Sequence, residues 1–73
     1  MGPSFYEFII RFMDHDADDP MSRLANAVSL DMTFPKHSDS FSEISEYMEL
    51  SSHYTKLLSI FDTAWQKYQE ILS

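Results

Sequence analysis

A fold rich in hairpins needs residues that turn, and this chain has almost none: across 73 residues there is one glycine, Gly2, and three prolines. All-β architectures join their strands through turns built on such residues, so the shortage argues for helices connected by a few polar loops. Length sets a second bound, because 73 residues support one hydrophobic core and leave no room for a cleft between two folded halves. A single domain over residues 1–73 is the expectation. At 44% hydrophobic and 15% aromatic the chain has ample material for that core and lies outside the composition of disordered segments. No cysteine is present, which fits a reducing compartment and removes disulfides and thiolate metal sites.

Hydrophobic spacing resolves four helical segments. The first begins at Ser4, an N-cap residue, and sets Phe5, Phe8, Ile9 and Phe12 on one face, widened by Tyr6, Ile10 and Met13 until only Glu7, Arg11 and Asp14 form a polar stripe. So apolar a helix belongs at the centre. A polar loop, Asp14 to Asp19, follows, and Asp19-Pro20 reads as a second helix start, with Met21, Leu24, Ala25, Val28 and Met32 on one side and Leu30 on the other. Pro35 disfavours helix at Phe34 and breaks the chain there. Ser40 and Glu43 have the spacing of a capping box, and Phe41, Ile44, Tyr47 and Met48 form the buried side of helix three. Ser51 and Ser52 offer the next cap. The last helix carries Tyr54, Leu57, Leu58, Phe61, Ala64, Trp65, Tyr68, Ile71 and Leu72 at helical spacing.

Twelve acidic residues against five basic give a net charge of -7, a field that repels phosphate backbones. No basic stretch followed by an apolar run marks a secretory signal, no apolar run reaches the ~20 residues of a membrane span, and Tyr6 occupies the position where myristoylation wants Ser or Thr. A cytoplasmic chain without membrane attachment is the expectation.

The common chemistries find little support. Asp14, Asp16 and Asp18 alternate like the start of a calcium loop, but the sixth position is Asp19 where glycine is needed and the twelfth is Ala25 where glutamate is needed, leaving a solvated acidic loop. His15, His37 and His53 are far apart and make no helical metal pair. Serines sit at helix starts, where capping accounts for them, and one glycine cannot build a phosphate cradle. Neither an enzyme nor a cofactor is expected. Lys56, Ser59, Thr63 and Lys67 make the most basic stripe on helix four, flanked by Asp62 and Glu70, while Glu43, Glu46 and Glu49 make helix three acidic. Two faces of opposite sign suit docking to a protein or weak self-association, which the net charge opposes.

Ser4-Phe5-Tyr6, then Phe34-Pro35-Lys36, Glu43-Ile44-Ser45 with Tyr47-Met48-Glu49, and Phe61-Asp62-Thr63-Ala64-Trp65 with Tyr68 resemble the short YozE-like proteins of Gram-positive bacteria over nearly the whole chain. The resemblance implies an all-α fold, a compact four-helix orthogonal bundle similar to the sterile alpha motif, an analogy that points both to protein interaction and to nucleic-acid binding. Most of the shared residues read as core. Lys36 and Asp62 do not, and the favoured reading is an ion pair or hydrogen bond pinning the Phe34-Pro35-Lys36 turn to helix four. The expected function is a small interaction module, monomeric or weakly associating, with an unknown protein partner and a candidate surface of Phe34, Lys36, Lys56, Asp62 and Lys67. The rival is nucleic-acid binding through Lys36, Lys56 and Lys67, which the net charge disfavours.

Overall fold

Three of the four α-helices begin at a side chain that answers their first free amides. In the computed structural model, which describes residues 2–72, Ser4 Oγ accepts from the Glu7 amide at 3.2 Å while Glu7 Oε1 accepts from the Ser4 amide at 3.0 Å. This is a complete capping box, and it starts α1 (Phe5–Ile9), which tightens into a 3-10 turn over Ile10–Phe12. Asp19 caps α2 (Pro20–Ser29) twice, taking the Ser22 amide at 3.2 Å and the Ser22 hydroxyl at 2.8 Å, with Pro20 in the first turn. Ser40 caps α3 (Phe41–Leu50) by accepting from the Glu43 amide at 3.4 Å. Its own amide donates to Ser38 Oγ, so the reciprocal half of the capping box expected at Glu43 is replaced by a serine-turn contact. Ser51 caps the 3-10 segment Ser52–Leu57, which runs directly into α4 (Leu58–Leu72). Among the described residues there are four α-helices and no strand, the all-helical architecture expected.

The core is one contiguous cluster. Phe5 lies at its centre, with ring centroids 5.4 Å from Phe61, 5.2 Å from Trp65 and 5.5 Å from Tyr68, so α1 is buried against α4 as its apolar face requires. Leu24, Ala25 and Val28 of α2, Ile44 and Met48 of α3, and Tyr54 close the rest. The radius of gyration, 11.2 Å, equals the ~11 Å of a folded chain of this length. No helix among the described residues is long and apolar enough to cross a membrane.

Six residues expected in the core are exposed, each where an element and the core do not end together. Phe12 and Met13 are exposed because α-helix stops at Ile9, and the Asn26 side chain then holds both the amide and the carbonyl of Asp14 at 3.0 Å. Met32 is 90% exposed because α2 stops at Ser29, taking Met32 out of helical register. Ile71 and Leu72 are exposed where α4 outruns the core. Phe41, at 43%, stands at the first position of α3 and covers the core from outside, stacked on Phe61 at 5.6 Å and edge-on to Trp65 at 5.3 Å.

Candidate functional site

The residues nominated by sequence do not converge. Phe34 is 3% exposed and packs on Tyr6, Tyr47 and Tyr54, which removes it from any partner surface. Lys36 turns to α1 and not to α4: its ammonium lies 5.6 Å from the centroid of the Tyr6 ring, and its carbonyl accepts from Ser4 Oγ at 2.7 Å. The Phe34-Pro35-Lys36 turn is thus strapped to the start of α1, a bond reinforced by the Phe5 amide donating to the Ser38 carbonyl. Asp62 and Lys67 are exposed on α4, and Lys56 is exposed on the preceding 3-10 segment. By helix rise, Lys56 and Lys67 are about 17 Å apart along the axis, twice the ~8 Å over which charges act in physiological salt. Between them Ser59 and Thr63 line a shallow groove of about 310 Å³ against Pro20 and Met21.

A different residue organises the opposite corner, where α2 ends. Asp31 sits in the turn after Leu30, and its Oδ1 accepts from the Thr33 amide at 3.0 Å and the Thr33 hydroxyl at 2.9 Å. Its Oδ2 accepts from the Tyr47 hydroxyl at 2.6 Å and the Tyr54 hydroxyl at 2.8 Å. One carboxylate therefore ties together the end of α2, the middle of α3 and the 3-10 segment leading to α4. Burial opposes its charge, but the hydrogen bonds from Tyr47, Tyr54 and Thr33 outweigh that cost and hold the carboxyl down at about 2. Burial, and then the neighbouring Asp31, push both tyrosine hydroxyls above their ordinary value. These groups keep fixed protonation states near neutrality, an arrangement suited to holding a corner together and poorly suited to moving protons.

Beside this hub lies an open hollow of about 400 Å³ lined by Ala27, Leu30, Asp31, Met32, His53 and Tyr54. Leu30 and Met32 stand on its rim at 76% and 90% exposure. Sequence reading placed Leu30 on the outer side of α2 but missed Asp31. The available signal was Asp-x-Thr just past a helix end, the pattern of a carboxylate that caps its own turn.

The acidic loop is organised by its own backbone: Asp14 Oδ1 accepts from the Asp16 amide at 3.0 Å, and Asp19 is the cap of α2. Among the described residues no group of three or more His, Asp or Glu side chains is placed to hold a metal ion.

Comparison with known proteins gives a consistent picture. Residues 4–70 match the family described as the YozE SAM-like fold. The chain is 40% identical over 73 residues to a UPF0346 protein of Limosilactobacillus reuteri (strain DSM 20016), covering 100% of both chains. It is 39% identical over 70 residues to that of Ligilactobacillus salivarius (strain UCC118), covering 96% of this chain and 93% of the other. With that of Geobacillus kaustophilus (strain HTA426) it shares 37% over 68 residues, covering 93% and 94%. None of these three names states an activity, substrate or partner. No solved structure matches the chain.

Proposed function

The chain belongs to the YozE SAM-like family, and from that premise we propose that it is a small cytoplasmic interaction module that docks a partner protein at the corner where α2 ends. The observation that carries this reading is the pairing of two well-exposed apolar side chains, Leu30 and Met32, with a hollow whose floor is locked by the Asp31 hydrogen bonds. A backbone already fixed by hydrogen bonds needs no ordering on contact, which lowers the entropy cost of binding to the side chains alone. No catalytic role is part of this proposal, since Asp31 stays ionised and Tyr47 and Tyr54 stay protonated near neutrality.

The test is retention of a partner from native lysate on the immobilised chain and on a Leu30→Glu/Met32→Glu double variant. A protein held by the parent and lost by the variant supports the reading; an identical set held by both refutes it. The net charge of -7 opposes a phosphate backbone, so titration with single- and double-stranded DNA and RNA at low salt is expected to show no binding.

A further inference from the structure

Resting on that docking surface, we propose that the hollow receives an arginine side chain carried on an apolar stretch of the partner protein. The floor holds a carboxylate whose four donors, the Thr33 amide and the Thr33, Tyr47 and Tyr54 hydroxyls, are all neutral. Its negative charge is solvated by these groups and not cancelled by them. The walls, Ala27, Leu30 and Met32, are apolar and suit the aliphatic stem of a basic residue, which lies along such surface while its head seeks an anion.

Arginine fits better than lysine. Each Asp31 oxygen already accepts two hydrogen bonds and is near capacity, so attraction to it is coulombic and does not call for the compact donor of an ammonium. The exposed ring of His53 also lines the hollow, and a planar, weakly hydrated guanidinium stacks on such a ring where an ammonium cannot. At longer range the net charge of -7 draws a cationic segment toward the chain.

The experiment is an NMR titration of the full chain with N-acetylarginine amide, with N-acetylnorleucine amide as the uncharged probe of similar stem. A single side chain should bind with Kd on the order of 10 mM. Saturable shifts confined to residues 27–33 and 53–54 are expected with the arginine probe, with the norleucine probe roughly tenfold weaker, the factor a single charged contact supplies. Asp31→Asn should abolish the difference between the probes. Ala27→Leu, which fills the hollow and leaves the hub intact, should block both and covers the case in which the Asp31 variant fails to fold. Equal binding of the two probes, arginine shifts that map to the acidic loop, or unchanged binding in Ala27→Leu would each overturn the assignment. If it falls while the Leu30→Glu/Met32→Glu variant still loses its partner, only the partner's charge is wrong; if partner retention is also unchanged, the docking surface falls with it.

Discussion

Two regions of this molecule are held together by different physics. In one, Phe5, Phe61, Trp65 and Tyr68 interlock as rings 5 to 6 Å apart, a dry aromatic cluster between α1 and α4. In the other a single carboxylate collects hydroxyls from three elements at the edge of solvent. The first depends mainly on volume; the second depends on charge and geometry. Surface area removed from water stabilises the one, while the other contributes mainly by fixing where the end of α2 stands.

The largest effect should come from the dry region. Trp65 is 7% exposed, and Trp65→Ala removes about 3 to 5 kcal/mol, comparable with the ~3 to 5 kcal/mol a core of this size supplies. Loss of a cooperative transition by circular dichroism is expected; melting near the parent temperature would show that the aromatic cluster is peripheral. Asp31→Asn should cost less, about 1 to 3 kcal/mol, because the amide's single oxygen can serve either the Thr33 donors or the Tyr47 and Tyr54 hydroxyls and its NH2 faces the other pair. Hydrogen exchange should rise around residues 30–34 and 47–54 and stay slow in α1, and a uniform rise would erase the distinction between the two regions.

The same variant carries a pH signature. Asp31 is held at about 2 in the fold against its usual 3.8, so the folded state binds the proton less readily than the unfolded chain. The stability this contributes is present in full above pH 4 and disappears as pH falls from there to about 2. Urea melts of the parent should therefore weaken across that window, and those of Asp31→Asn should weaken less; parallel curves would contradict the role given to Asp31. Glu7 and Asp19, lowered by their bonds to Ser4 and to Ser22, act in the same direction in both proteins.

Ser4→Ala removes both the capping box and the bond to the Lys36 carbonyl, which predicts a loss of about 1 kcal/mol, or roughly 4 to 8 °C in Tm. Met32→Gln lies at the small end: a side chain so exposed should alter stability by less than about 0.5 kcal/mol. A larger change would mean that Met32 supports the corner instead of decorating it.

The two regions also differ in how far they can be read from residues alone. Phe5, Phe61, Ala64, Trp65 and Tyr68 repeat at helical spacing, and periodicity is a property of the chain that survives without coordinates. The caps at Ser4, Asp19, Ser40 and Ser51 are equally local, since donor and acceptor lie two or three residues apart. Asp31 is another matter. Its partners Tyr47 and Tyr54 lie 16 and 23 residues away, and no spacing rule announces that a carboxylate after one helix will meet two phenols from elsewhere. Lys36 shows the same limit, because its place over Tyr6 depends on where the Pro35 turn lands in space. Phe34, named for the candidate surface, shows it too: it lies in a break with no periodicity to place it, and the packing of three tyrosine rings around it makes it interior.

Asn26 grips both backbone groups of Asp14, and Asp19 separately anchors the start of α2, so the span 15–18 is closed at each end by bonds it takes no part in. Lengthening it costs only the slow logarithmic rise of ring closure, about 0.6 kcal/mol for each doubling. Residues 15–18 are accordingly the place to graft a reporter or an affinity sequence, a handle on the molecule that leaves both the aromatic cluster and the Asp31 corner undisturbed.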